Sequence, residues 1–121
     1  MEIIGEFSTT VKKALGEIDP LYLTYPGLVI CGTHNPQMFD LPVILNKIQE
    51  ARETGLPLLG ICWGHQMVAI EYARDVLGIK DATSEELGEG THVVKRIPDL
   101  KVGLHGGESY WNQYEVTIDF E

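Results

Sequence analysis

Apolar positions recur at two different spacings along the chain, and these spacings predict alternating strands and helices. Short apolar runs at residues 1–7, 28–31 and 58–61 are rich in strand formers. Each run is followed by a segment whose apolar positions lie three and four residues apart, as on one face of a helix. Ser8 and Asp40 stand where the first two helices should begin, and both are favoured N-cap residues.

The second and third helices have the clearest patterns. In the second, Lys47 and Glu50 lie on the polar face, and Gly55 is the predicted C-cap. We expect the buried face of this helix to contain Leu41, Ile44, Leu45, Ile48 and Ala51. The predicted buried face of the third helix contains Met67, Ala69, Ile70, Ala73, Val76 and Leu77.

Strand-helix-strand order with short connections predicts a three-layer, doubly wound, mostly parallel α/β fold. After Gly88 the pattern changes. Short strands at 91–96, 100–104 and 114–118 predict a small antiparallel C-terminal extension. Because no linker or repeat interrupts the chain, we expect residues 1–121 to form a single domain.

Charge narrows the range of partners and cofactors. The net charge is −9, with 9 Lys and Arg against 18 Asp and Glu, which argues against nucleic acid or an anionic membrane as a partner. The chain shows no signal peptide and no apolar run of membrane-spanning length, so a cytoplasmic location is expected. Two cysteines without a Cys-X-X-Cys motif and four scattered histidines indicate neither a metal site nor a cofactor.

Residues 60–66, Gly-Ile-Cys-Trp-Gly-His-Gln, join the third strand to the third helix. A cysteine between glycines at such a turn predicts a nucleophile elbow, in which flanking glycines permit a sharp backbone bend. The positive end of the helix dipole favours a thiolate at Cys62. The backbone amide of Trp63 would point towards an oxyanion formed on that cysteine.

This motif resembles the nucleophile motif of class I glutamine amidotransferases, and residues 70–87 resemble the corresponding stretch of the amidotransferase domain of CTP synthases. The resemblance implies a flavodoxin-like fold and glutamine as substrate. It also implies that Cys62 attacks the glutamine amide, with the amides of Gly32 and Trp63 forming the oxyanion hole. Gln66 and Glu86 would bind the glutamine.

The family takes its general base and orienting carboxylate from a His-Pro-Glu motif, which does not occur in these 121 residues. We therefore expect impaired glutaminase activity, with His105 as a possible substitute base or simply an exposed loop histidine. A catalytically silent binding module and another Cys-dependent hydrolase on the same elbow remain alternatives.

Several other residues have two readings. Cys31 is predicted to be a small buried hydrophobe, His34 either touches ligand or lies in the loop, and His65 is structural or lines the pocket. Trp63 either covers the thiol or packs at a subunit contact. Three charged residues of the third helix are predicted to form a solvated face: Glu71, Arg74 and Asp75.

The resemblance also predicts partners. A synthetase would receive the ammonia. In the family, the C-terminal tail adds a strand beside the elbow, so without that strand a sheet edge or an apolar face should be exposed next to Cys62. We expect this surface to be buried in a homodimer, with Tyr110 and Trp111 as candidate contacts.

Overall fold

The structure, a computed structural model, describes residues 1–95 and the backbone of residues 96, 104–105, 108–109 and 114–116. Short 3₁₀ turns lie at Pro20–Thr24 and Pro36–Met38. The helices are α1 (Ser8–Ile18), α2 (Leu41–Thr54) and α3 (Trp63–Asp75). The strands are β1 (Glu2–Ile4), β2 (Leu28–Ile30), β3 (Leu58–Gly60), β4 (Ala82–Ser84), β5 (Thr91–Arg96), β6 (Leu104–His105), β7 (Glu108–Ser109) and β8 (Tyr114–Val116).

Strands β1, β2 and β3 form a parallel sheet in that order, with Ile4 opposite Ile30 and Ile30 opposite Gly60. Parallel strands bring their carboxyl ends to one edge of a sheet. The residues that follow Ile4, Ile30 and Gly60 therefore gather at the same edge, where open α/β sheets bind ligands.

Helices cover both faces of this sheet. Leu28 and Ile30 are buried in the core with residues of α2 and α3. Val29, Leu59 and Ile61 instead line an apolar groove with residues of α1. Since successive strand residues point to opposite faces, α1 lies on one side and the α2–α3 pair on the other, and the predicted three-layer α/β fold is confirmed.

Helix α2 begins and ends where its sequence predicts. The Asp40 carboxylate accepts a hydrogen bond from the Val43 amide at 3.4 Å, and Gly55 closes the helix with a left-handed φ of 74°. Both caps are confirmed. The four buried residues of this helix all belong to its predicted face: Ile44, Leu45, Ile48 and Ala51.

The other two helices differ from prediction at their ends. Helix α1 starts at Ser8 with Phe7 as its N-cap residue, so the predicted cap was wrong by one position. Helix α3 ends at Asp75, and Val76 beyond it is exposed. Of the rest of the predicted face, Met67, Ala69, Ile70 and Ala73 are buried as expected, whereas Leu77 lies beyond the helix and is half-buried.

The predicted solvated face of α3 was wrong for two of its three residues. Glu71 is only 1% exposed, and its carboxylate receives Nε of Arg52 at 2.7 Å and Nη2 at 3.0 Å. Arg74 donates to the Ala82 carbonyl oxygen at 2.7 Å, while Asp75 is exposed. Because α2 and β4 pack against α3 on this side, the buried carboxylate is paired instead of solvated.

A second sheet contains β4, β5 and β8. Strand β5 pairs in parallel with β4, across a register shift between Thr83 and Ser84, and antiparallel with β8. The prediction that residues 91–96 belong wholly to an antiparallel unit was therefore wrong. Strands β6 and β7 pair antiparallel. Much of the predicted C-terminal extension lies outside the described residues, so the extension and the single domain stay predictions.

Candidate functional site

Cys62 occupies a strained turn between β3 and α3. Its φ is +56° and its ψ is −116°, and it is the only described residue other than glycine with a positive φ. A side chain with a Cβ rarely adopts such angles, and they persist only where the surrounding structure enforces them. Here the Gly64 amide donates to the Ile61 carbonyl at 2.9 Å, and the Gln66 amide donates to the Cys62 carbonyl at 3.3 Å.

The two glycines that flank Cys62 serve close packing. A Cβ on Gly60 would stand 2.7 Å from the Gly64 carbonyl oxygen, and a Cβ on Gly64 would overlap the Ile30 carbonyl oxygen. The start of α3 therefore lies directly on the ends of β2 and β3. The sequence prediction that these glycines supply the unusual backbone angles was wrong, because Cys62 itself has the positive φ.

The ends of β2 and β3 meet at Cys62 as predicted. A Cβ built on Gly32 would lie 3.2 Å from Cβ of Cys62 and 3.6 Å from its Sγ. A cavity of about 370 Å³ opens at this contact. Its lining consists of Phe7, Val11, Cys31, Gly32, Thr33, His34, Ile61 and Cys62.

The loop that carries Gly32 is tied to the segment after β1. Oε2 of Glu6 accepts hydrogen bonds from the His34 amide at 2.7 Å and from Oγ1 of Thr33 at 2.9 Å. These two bonds lower the pKa of the Glu6 carboxyl. The Phe7 ring meets the His34 ring edge-on, with centroids 5.4 Å apart. Sequence reasoning missed Glu6, because nothing local relates it to residues 27 and 28 positions away.

Trp63 and Gln66 lie on the first turn of α3, and both side chains are buried. The Trp63 ring packs 5.5 Å from that of Phe39 within the core, so the prediction of a subunit contact for this side chain was wrong. Its backbone amide is the first of α3, one of the N–H groups that a helix leaves without an internal acceptor. That amide directly follows Cys62, which lies beside Gly32 in the cavity lining.

Comparison with known proteins agrees with this arrangement. The sequence model for glutamine amidotransferase class-I matches residues 9–117. The chain belongs to this family.

CTP synthases are among the relatives of this amidotransferase. The one from Methanoculleus marisnigri is 54% identical over 75 residues, which are 61% of this chain and 14% of that protein. The one from Archaeoglobus fulgidus is 36% identical over 110 residues, which are 88% and 20%. The chain thus spans a fifth or less of the length of these two relatives.

A solved structure supports the same assignment. The Trypanosoma brucei CTPS glutaminase domain with bound acivicin matches 88% of this chain with a TM-score of 0.56 and 27% identity, and the match covers 37% of that chain. This protein is therefore a class I glutamine amidotransferase domain related to the glutaminase domain of CTP synthase.

Two further site candidates, Glu86 and His65, are not among the residues that line the cavity. Glu86 follows β4 in an exposed turn, where partial desolvation raises the pKa of its carboxyl. His65 is exposed on the first turn of α3. The backbone of His105 lies in β6, opposite Glu108, and its side chain is outside the described residues.

Cys31 is fully buried, and burial raises the pKa of its thiol.

Among the described residues there is no group of three or more His, Cys, Asp and Glu side chains arranged to hold a metal ion. Across the same part of the chain, no helix is both long and apolar enough to span a membrane.

Proposed function

We propose that this amidotransferase domain binds glutamine and that Cys62 attacks its side-chain amide. The observation that carries the proposal is the strained backbone of Cys62, held at the N-terminus of α3 beside Gly32 and open to a cavity. Strain of this kind is retained where function needs a particular geometry. At this position Cys62 lines the cavity, where a bound substrate could reach it.

The proposed reaction forms and breaks one bond at a time. The Cys62 thiolate adds to the amide carbon of glutamine, and the carbonyl oxygen becomes an oxyanion that the amides of Gly32 and Trp63 stabilise. The tetrahedral intermediate collapses when its nitrogen is protonated and leaves as ammonia. A thioester remains on Cys62, and water hydrolyses it to glutamate and free thiol.

Two further residues are proposed to hold the substrate. Gln66 lies one turn into α3 from Cys62 with its side chain buried, and we propose that its amide contacts the bound glutamine. Glu86 supplies a carboxylate for the substrate ammonium, and ion-paired hydrogen bonds of this type are the stronger ones.

A proton acceptor is still needed. Because the 121 residues contain no His-Pro-Glu motif, we propose that hydrolysis by this chain alone is impaired. We add His34 as a candidate base, since it lines the cavity together with Cys62. His105 stays a sequence-based candidate.

Ammonia released here would pass to a synthetase, on the same or another chain, as the similarity to CTP synthases suggests.

We also propose a homodimer. Among the described strands β3 pairs only with β2, and Leu59 and Ile61 beside Cys62 are 54% and 38% exposed. Light scattering that finds a monomer at micromolar concentration would contradict the dimer.

A glutamine-analogue diazoketone tests the proposed site directly. We expect a mass adduct on Cys62 that excess glutamine suppresses. Iodoacetamide provides the control, because it alkylates any accessible thiolate without a glutamine pocket. Labelling of Cys62 by iodoacetamide but not by the diazoketone would refute glutamine binding at this cysteine.

The second candidate function is a silent binding module, and the missing His-Pro-Glu motif favours it. Steady ammonia release from glutamine that disappears in Cys62→Ala would exclude this alternative. Glutamine binding by calorimetry without ammonia release would support it.

A third alternative is a different Cys62-dependent hydrolase, and a screen of small esters and amides as substrates would test it. The apolar side chains of Phe7, Val11 and Ile61 in the cavity lining would suit an apolar substrate of this kind.

A further inference from the structure

We propose that Glu6 is a positioning residue for the proposed reaction, fixing the loop at residues 31–35 so that Gly32 stays against Cys62. The inference rests on the proposed function of the cavity. Glu6 is not itself part of the cavity lining. It acts through the loop that it holds.

One carboxylate oxygen organises the whole loop. Oε2 of Glu6 accepts from the amide of His34 at 2.7 Å and from Oγ1 of Thr33 at 2.9 Å. The same Thr33 oxygen accepts from the amide of Asn35 at 2.9 Å. The three residues that follow Gly32 are therefore linked, directly or through one hydroxyl, to a single acceptor atom.

The segment that carries Glu6 is itself held close to the loop. The Cys31 amide donates to the Ile4 carbonyl at 2.7 Å. Gly5 has a φ of +133°, and a Cβ there would stand 2.8 Å from Cβ of Cys31. The Phe7 ring also lies close to the loop, since its Cδ2 would stand 3.7 Å from a Cβ on Gly32. Glu6 thus projects from a backbone with little room to shift.

Gly32 depends on this support because it has no side chain with which to anchor itself, and glycine has the widest backbone freedom. Hydrogen bonds to a charged acceptor are stronger than neutral ones. The lowered pKa of the Glu6 carboxyl agrees with that, since the loop binds the ionised form. Loss of Glu6 should leave Cys62 in place but let the Gly32 amide drift.

Two alkylating reagents separate these effects. A glutamine-like chloroketone is attacked by the thiolate at its carbonyl, giving an oxyanion, before the carbon–sulfur bond to the adjacent carbon forms and chloride leaves. Iodoacetamide instead alkylates the Cys62 thiolate by direct displacement of iodide, and no oxyanion forms. Only the first reaction depends on the Gly32 amide.

The variants are Glu6→Ala, Glu6→Gln and the control Glu17→Ala, which removes the same charge from the exposed side of α1. Losing an oxyanion donor costs about 10²–10³ in rate. We expect Glu6→Ala to slow chloroketone inactivation about tenfold, as a donor is loosened but not removed. Iodoacetamide rates should stay within about twofold, and Glu6→Gln should approach wild type because its amide oxygen still accepts both bonds.

Amide hydrogen exchange gives a readout that needs no glutamine chemistry. Exchange at His34 and Asn35 should speed up about tenfold in Glu6→Ala, because the His34 amide loses its acceptor and Oγ1 of Thr33, which accepts from Asn35, loses its own partner. The Glu17→Ala protein should match wild type.

Equal slowing of both reagents, or unchanged chloroketone kinetics in Glu6→Ala, would overturn the positioning role. If the chloroketone fails to label even the wild-type protein, the proposed function fails instead. Exchange then decides the inference: faster exchange at His34 supports the hold of Glu6 on the loop, and unchanged exchange refutes it.

Discussion

Replacing Cys62 by glycine should give a more stable protein than replacing it by alanine. Both variants lose the thiol, so they differ only in the Cβ. At φ +56° and ψ −116° that Cβ is the source of the backbone strain. The comparison therefore isolates the strain at the turn from the packing of the sulfur.

The size of the effect follows from two opposing terms. Residues held in sparsely populated backbone regions carry about 1–3 kcal/mol of strain. Glycine in place of alanine loses about 0.5–1 kcal/mol through the greater freedom of the unfolded chain. The strain exceeds that loss, and Cys62→Gly should unfold with a free energy about 1 kcal/mol higher than Cys62→Ala.

Urea unfolding measures this difference. With slopes of about 1–2 kcal/mol per molar for a protein of this size, the midpoint of the glycine variant should lie about 0.5–1 M higher. Glu50, exposed on α2, provides the matched control. There Glu50→Gly should be less stable than Glu50→Ala by about 1 kcal/mol, the ordinary helical order.

The sign at position 62 is the decisive result. An alanine variant as stable as the glycine variant, or more so, while Glu50 shows the ordinary order, would mean that the turn at Cys62 carries no strain. The structural argument for a specially held thiol would then be refuted.

Three further outcomes are expected. Gly64→Ala should destabilise the protein by about 1–3 kcal/mol or more in thermal unfolding, because the new methyl group overlaps the β2 backbone. The control Gly16→Ala in α1, where the methyl group meets only ordinary contacts, should stabilise the protein by about 0.5–1 kcal/mol. Arg52→Ala leaves the buried Glu71 carboxylate without its guanidinium partner and should cost about 2–3 kcal/mol in urea unfolding, below the usual cost of breaking a buried pair because Arg52 is 29% exposed. Lys47→Ala, which breaks an exposed pair, should cost under about 1 kcal/mol, and equal losses in the two variants would contradict this. Since burial raises the pKa of the Cys31 thiol, iodoacetamide at pH 8 should leave Cys31 unmodified in the native protein and label it only after unfolding, as peptide mass mapping will show.

The local sequence determined much of the fold and part of the site. Helix α2 was predictable at both ends because Asp40 and Gly55 act within one turn of their own positions. The meeting of Gly32 and Cys62 was predictable because parallel strands place their carboxyl ends together. These features depend on short-range chemistry or on topology, and the sequence pattern carries both.

Tertiary packing decided the rest. The charge of Glu71 and its position outside the predicted buried face of α3 predict a solvent-exposed side chain. Only the packing of α2 against α3 buries the Glu71 carboxylate against Arg52. The positive φ falls on Cys62, while Gly60 and Gly64 instead allow α3 to lie directly against the ends of β2 and β3. Glu6 joins the site through hydrogen bonds to residues 27 and 28 positions away. Such contacts link residues distant in sequence, so they exist only once the layers have packed.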